Sequence, residues 1–571
     1  MWPDVANPAS TGTRSGLGDP TGSRWRRAWF IIPLVLVVAI YAQVLDHGYV
    51  DFDDNLYAFD NPHVRAGLTS EGLIWAFQTT FAANYHPLTW LSHMLDFELF
   101  GDRPGAFAAV NALLHAANAL LVSALFARLF RSQFAGLAVG AVFAAHPVLV
   151  EGVAWISQRK TVLSTAFALG AILLFLNAGD PGRRSPLRWY VGALCAYILS
   201  LLCKSMYVTL PVVLPLLAWM EAGHNRRDRG AAPRASRPWL HGMCVRLLPF
   251  AIATCLFSLV TLWAQHAGGA MREFAEVSAV ARLANAALAV ERYVSSFLLP
   301  TDLSFLYPLP ATVDWLGSLR AVTWEAGVTV MLIRWRTKIG ISPIVGWVTF
   351  LIMLTPVLGL VQVGTQASAD RYLYGPILGL LILACGGIEA LARRRPWQHV
   401  RLGLITLAVG WIATLAAMAH VQVGVWSNSL SLVRSARAAV GSHPQFTGIE
   451  ATLLLRAHHF EAASQLFQEL IESNPRDLVA LQNLGVCLLR TGRFDDAERC
   501  LRLSNQLAPG KPAPMINLAA LLVETNRPAD ALEWIARARA TGNLSASEQD
   551  ALARLQAAAI ELRARGDSVL P

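Results

Sequence analysis

Two carboxylates stand side by side in the run Asp51-Phe52-Asp53-Asp54-Asn55, and polar residues follow at Asn61-Pro62-His63, Tyr85-His86-Pro87-Leu88-Thr89-Trp90, His93 and Asp96. Adjacent acids suit three tasks: a general base for an incoming hydroxyl, a metal ligand, or a turn cap. An isolated Asp-Asp pair is more often a cap or a solvated turn. Two histidine-bearing segments in the same stretch add weight to the chemical reading.

The bases lie elsewhere. One segment runs from His146-Pro147 through Glu151 and Trp155 to Arg159-Lys160, a second is Cys203-Lys204-Ser205-Met206-Tyr207, and a third is Asp370-Arg371-Tyr372-Leu373-Tyr374-Gly375-Pro376. Acids in one loop and cations in the others fit an enzyme acting on a phosphate-linked lipid. Cations hold the phosphate and stabilise it as it leaves, and a carboxylate takes the proton of the attacking hydroxyl. The plainer reading makes Arg159 with Glu151, and Arg371 with Asp370, structural ion pairs or interfacial anchors. No glycine-rich phosphate loop, GxSxG, HExxH or paired CxxC occurs, so ATP hydrolysis, serine hydrolysis and zinc chemistry of the usual kinds lack support.

The elements that must carry these groups follow from composition. The 571 residues are 54% hydrophobic and 15% charged, against roughly a quarter charged in soluble domains. Apolar runs fall at 28–44, 107–127, 134–150, 161–177, 188–203, 205–220, 246–264, 317–333, 341–361, 373–391 and 402–421, and about 20 apolar residues span a bilayer. Several are shorter than that, which places their ends in protein-lined cavities. Arg128 and Arg131, Arg183 to Arg188, Arg226 to Arg237, Arg334 to Lys338 and Arg393 to Arg395 mark alternate loops as basic. The pattern predicts eleven spans, a cytoplasmic N-terminus and a C-terminal region on the far side. The net charge of +9 is thereby a topology signal, not a nucleic-acid footprint. The stretch 280–299 reads as an interfacial or re-entrant helix, because a twelfth span would invert every later loop. Residues 1–23, rich in Gly, Ser, Thr and Pro, read as a disordered cytoplasmic tail.

From residue 440 a 34-residue period appears. Residues 478–511 place Leu481, Leu484, Gly485, Leu488, Gly492, Phe494, Ala497, Leu501 and Pro509 at tetratricopeptide positions. One period earlier stand Leu454, Phe460, Ala463, Phe467 and Pro475, and one period later Leu518, Leu522, Ala531, Ile535 and Ala538. Such a stack offers a groove for a partner or caps the membrane region. The seven cysteines have no paired spacing and read as small buried residues, Cys487 and Cys500 included.

In order and spacing, Phe52-Asp53-Asp54 with Asn61-Pro62, His86 to Ser92, Asn111 to His115, His146 to Lys160, Lys204 to Pro211, Leu303 to Pro308 and Arg371-Tyr372-Leu373 resemble the membrane-embedded O-mannosyltransferases with tetratricopeptide repeats, of the GT-C class. The resemblance spans nearly all of residues 46–380. It implies an all-α architecture: a polytopic GT-C-like helical domain over 24–425, then a short repeat α-solenoid over 440–571. It also implies a polyprenyl-phosphate sugar donor and transfer with inversion to a hydroxyl on the outer face. By likeness of position, Asp53 is the base with Asp54 beside it and His86 in the catalytic set. Arg159, Lys160, Lys204 and Arg371 would hold the donor phosphate, and His146, Glu151 and Tyr372 would line the site. The chain departs from the family at Ala106-Phe107-Ala108-Ala109, where relatives often carry a histidine pair, and at Lys204-Ser205-Met206, where they often read Lys-Pro-Met.

The resulting expectation is a hexosyltransferase in a bacterial inner membrane, with its repeat domain periplasmic and a protein Ser or Thr as acceptor. No cofactor is expected, since fixed cations suffice for one phosphate, although Asp53 and Asp54 also suit a divalent ion. A GT-C enzyme acting on a lipid or surface glycan is the nearest alternative. A transporter or scaffold is the other, against which stand the one-sided charges and the lack of internal symmetry.

Overall fold

The computed structural model describes residues 20–567 except 181, 228–236, 270–277, 311, 361–365, 394–400, 442 and 543. Most of the expected tail, and much of the basic runs 226–237 and 393–395, lie outside the described residues. The chain is predominantly helical and divides into two compact units. The first comprises Met1–Asp46, Leu56–Leu299 and Pro310–Gly424, and the second His47–Asn55, Pro300–Leu309 and Val425–Pro571.

In the first unit six helices are long and apolar enough to cross a membrane: Pro104–Leu129, Ile156–Ala178, Pro186–Cys203, His241–Ala267, Trp315–Ile339 and Ile405–Val425. A seventh is the bent pair Gln133–Ala145 and Pro147–Ala154, which turns by 57°. The bend has a local cause: Pro147 lacks an N–H and disfavours helical ψ at His146, which adopts φ −76° and ψ 120°. Helices also stand at the remaining expected spans, but Ile31–Asp46, Ser342–Val357 and Ile377–Ala392 are shorter apolar segments, and Leu210–Arg227 ends in a polar turn. The helix Ala279–Leu298 carries Arg282, Glu291 and Arg292 and is amphipathic, unlike the apolar spans.

Packing agrees with an apolar solvent. On His241–Ala267 the exposed residues include Leu248, Ile252, Leu256, Leu259 and Trp263, spaced along one helical face. Inside, small residues let helices approach. A Cβ added at Gly346 would meet the backbone of Ile377–Ala392, and one at Gly379 the backbone of Ser342–Leu354. Arg128 joins Glu221 (2.6 Å) and Asn177 across three helices, so this basic-loop residue is also a structural tie.

In the second unit three helix pairs, Pro444–Arg456 with Phe460–Ser473, Leu478–Arg490 with Phe494–Leu507, and Pro512–Glu524 with Pro528–Ala540, are closed by Ala546–Asp567. Leu454, Ala463, Phe467, Leu484, Leu488, Ala497, Leu501, Leu518, Leu522, Ala531 and Ile535 share one core with Cys487. Gly485 is required there, since a Cβ would collide with the Leu501 side chain. Each pair turns through a left-handed residue at equivalent places: His458 (φ 61°), Gly492 (φ 76°) and Asn526 (φ 57°). The outer copies therefore keep the turn of the middle copy with residues that tolerate positive φ less well than glycine.

Candidate active site

The first unit gathers most of the singled-out bases around the start of the helix Arg159–Ala178. Arg159 is fully buried, and four of its five N–H donors are bonded. Nε reaches Asn111 Oδ1, Nη1 donates to Ser92 Oγ (2.6 Å), and Nη2 donates to Asp96 Oδ2 (2.6 Å) and to the Phe107 carbonyl (2.9 Å). This guanidinium clamps Pro87–Phe100 to Pro104–Leu129. Its ion pair is with Asp96, where the sequence suggested Glu151.

Glu151 instead takes Arg371. Arg371 Nη1 meets Glu151 Oε1 at 2.5 Å, and its backbone N–H donates to Oε2 at 2.8 Å. The pairing of Arg371 with Asp370 that the sequence suggested is thus replaced by one across 220 residues of chain. The Arg371 guanidinium lies 5.3 Å from the Trp155 ring centroid and 5.0 Å from that of Tyr372. Tyr372 in turn accepts a hydrogen bond from Gln366 Nε2 at 3.0 Å.

Lys160 and Lys204 complete the cations. The Lys160 ammonium sits 4.0 Å from the centroid of Tyr57, a cation–π contact on a buried face. Tyr57 stacks on Trp90 (4.7 Å) and on His86 (5.3 Å). Lys204 Nζ donates to Thr161 Oγ1 at 2.9 Å, and that hydroxyl donates to Gln158 Oε1 at 2.8 Å. The charge of Lys204 acts on both His86 and Glu151.

His86 is buried, and its Nε2 has no hydrogen-bond partner. Burial, with Lys160 and Lys204 nearby, holds its pKa well below the usual histidine value. His93, about two helical turns further along Pro87–Phe100, is fully buried with both ring nitrogens unpartnered. Burial and the charges of Arg159 and Lys160 depress it likewise. Both rings are therefore neutral at pH 7 and can donate one hydrogen bond and accept one.

His146 has a different task. Its Nδ1 accepts the Val148 N–H (3.3 Å), so Nε2 carries the proton and donates to the Phe297 carbonyl (3.0 Å). Its ring stacks on Phe297 at 5.4 Å. Residues that the sequence reading did not assign also belong to this region. Tyr374 OH meets His115 Nδ1 at 2.7 Å and accepts from Asn118 Nδ2 at 3.2 Å, and Tyr57 and Trp90 form the aromatic wall. Their signal was present as aromatics flanking the polar runs, but their partners come from distant segments.

Asp53 and Asp54 belong to the second unit. Asp54 is buried, and its Oδ2 accepts the Val50 N–H at 3.0 Å, closing the turn. Asp53 is half-buried. Phe52 packs on Phe305 at 4.5 Å, and Phe305 on Phe446 at 5.9 Å. Among the described residues no group of three or more His, Cys, Asp or Glu side chains is placed to hold a metal ion.

Comparison with known proteins gives two findings. Residues 454–505 match the tetratricopeptide repeat family model. Protein O-mannosyl-transferase TMTC3 of Mus musculus is 22% identical over 526 residues, covering 83% of this chain and 54% of the relative. The Homo sapiens TMTC3 is 23% identical over 525 residues with the same coverage. Protein O-mannosyl-transferase Tmtc2 of Drosophila melanogaster is 28% identical over 243 residues, 39% of this chain and 24% of the relative. The chain spans about half the length of the first two relatives. In its membrane-length helices, its repeats and its sequence similarity over most of its length, the chain resembles the tetratricopeptide-containing transmembrane O-mannosyl-transferases.

Proposed function

We propose that the protein is a GT-C glycosyltransferase that moves a mannose-like sugar from a polyprenyl-phosphate donor to a Ser or Thr hydroxyl of a protein. The observation that carries this reading is a neutral, buried His86 under the charges of Lys160 and Lys204, with Lys204 also acting on the Glu151 that holds Arg371. Cations are costly to collect in a helical membrane unit, and they are retained where an anion is to be bound. The relatives are protein O-mannosyl-transferases by name, which supports transfer of mannose to protein in general terms.

In this reading the acceptor oxygen attacks the anomeric carbon as the bond from that carbon to the phosphate oxygen breaks. Asp53 takes the hydroxyl proton. The departing lipid phosphate gains a negative charge, which Lys160, Lys204 and Arg371 stabilise. His86 is a poor base with its depressed pKa, so its task is a hydrogen bond to donor hydroxyl or phosphate oxygen. Arg159 acts through Asp96, Ser92 and Asn111 as a positioning residue, since four of its five donors are already engaged. His146 and Tyr372 shape the wall. No divalent ion is needed when fixed cations meet a single phosphate. Placement in a bacterial inner membrane, with the acids and repeats on the periplasmic face, is part of the same proposal.

The test is steady-state transfer from polyprenyl-phosphate mannose by the purified full chain. Replacing both Lys160 and Lys204 by Ala should lower kcat by about 10²–10³, the effect of losing a fixed charge-stabilising donor. Unchanged kcat in the double variant would remove these lysines from the donor site. Transfer to lipid but not to protein would redirect the acceptor assignment.

A further inference from the structure

The loop that carries the acids is built into the repeat unit. Gly48 N–H donates to the Ser427 carbonyl at 3.0 Å, and Asp51 N–H to Ser429 Oγ at 2.8 Å. Phe52 joins the Phe305–Phe446 stack. One tie is of another kind. The Asp51 carboxylate is ion-paired with the guanidinium of Arg456, the last residue of the first repeat's opening helix, 405 residues away in sequence.

We propose that Arg456 is a positioning residue for sugar transfer. By holding Asp51 it fixes the segment that presents Asp53, whose Cα is at most ~7 Å further along the chain. The repeat domain then sets the geometry of the base in addition to any binding of acceptor. The inference rests on the reading of Asp53 as the base.

The pair is suited to positioning more than to stability. Its side chains are 65% and 32% exposed, and exposed pairs add little to folding and are screened by salt. Both residues line an open groove of roughly 330 Å³ whose floor includes Leu453 and Phe467, so ions reach the pair. Arg456 also sits at a helix C-terminus, where a cation is favoured by the helix dipole. Its removal should therefore leave the melting temperature in place while the loop loses its restraint. A merely structural contact would do the reverse.

The test uses the full chain in detergent or nanodiscs, with polyprenyl-phosphate mannose and an acceptor polypeptide. At low salt Arg456→Ala should lower kcat about 2- to 5-fold, and Arg456→Glu about tenfold, with KM for the donor and the melting temperature unchanged. The swap Asp51→Arg with Arg456→Asp should restore most of the loss, and 1 M salt should narrow the gap between variants. Amide hydrogen exchange over 47–55 should quicken in Arg456→Glu, a readout that needs no activity. Unchanged exchange at 47–55 in that variant overturns the proposal. So does normal kcat in Arg456→Glu beside an inactive Asp53→Asn, an outcome that leaves the base in place. Wild-type kcat in Asp53→Asn removes the base, and the proposal with it.

Discussion

Charges in the two units obey different rules. In the membrane-helix unit the key ones are buried and multiply bonded: Arg159 and Asp96 are 0% and 4% exposed in their side chains, Glu151 and Arg371 3% and 13%. In the repeat unit many are paired on the surface, as in Arg493–Asp496 (59% and 30%) and Arg565–Glu561 (73% and 66%), although Asp54 and Glu450 are buried. A surface pair forms because neighbouring helix positions meet, and it is worth little. A buried pair survives only if every partner is in place, because a lone charge in a low-dielectric interior is costly. The contrast teaches where function is to be sought. The membrane unit spends binding energy to keep charge out of water, and the repeat unit spends apolar packing to keep a shape.

The largest expected effect tests this contrast at Arg159. Arg159→Leu leaves Asp96 buried without its partner and should destabilise the protein by about 3–5 kcal/mol, read as a lowered thermal midpoint in detergent. A midpoint within error of wild type would show that Asp96 finds another partner and would break the comparison. Next is the packing side. Gly485→Leu drives a side chain into Leu501 and should cost about 1–3 kcal/mol, melting the repeat helices. A normal midpoint would mean that the repeat core has slack the glycine does not reveal.

A smaller effect follows from pH. His86 and His93 have folded pKa values below the ordinary 6.5, so the unfolded chain binds their protons first. Their contribution to stability is complete above pH 6.5 and is lost as pH falls below it toward the folded values. Thermal midpoints should drop between pH 6.5 and 5, and the drop should shrink in the variant with both residues replaced by Gln. The same slope in that variant would assign it to other groups. Smallest of all, Arg565→Ala should move stability by no more than about 0.5 kcal/mol. A larger shift would show that surface pairs in the repeats act as a network.

Much of this arrangement was readable from sequence, and the remainder has a physical reason for escaping. Apolar runs marked helices at all eleven expected spans, although six, or seven with the bent pair, have the length and hydropathy to cross a membrane among the described residues. Length alone cannot tell a short span from a helix whose ends are held by protein. The 34-residue period located the repeats, and the left-handed turns at His458 and Asn526 show that the outer copies vary the residue while keeping the backbone. Partners of charges were not legible. Arg159 finds Asp96, Ser92 and Asn111 at separations of 63, 67 and 48 residues, and Glu151 finds Arg371 at 220. Nothing local encodes such pairings, because they follow from which helices pack. The same holds for the Asp51–Arg456 tie, where the nearest charges in sequence are not the nearest in space.

The central claim is sugar transfer driven by an acid in the first loop, and its most direct test compares wild type with Asp53→Asn. Membranes containing each would receive radiolabelled polyprenyl-phosphate mannose and cell-envelope proteins, with expression matched by immunoblot. The account predicts labelled protein with wild type and a loss of about 10²–10⁴ with Asp53→Asn. Equal labelling by both, well above membranes lacking the protein, would contradict the role of Asp53. No labelling by wild type from any sugar lipid would contradict the transferase itself.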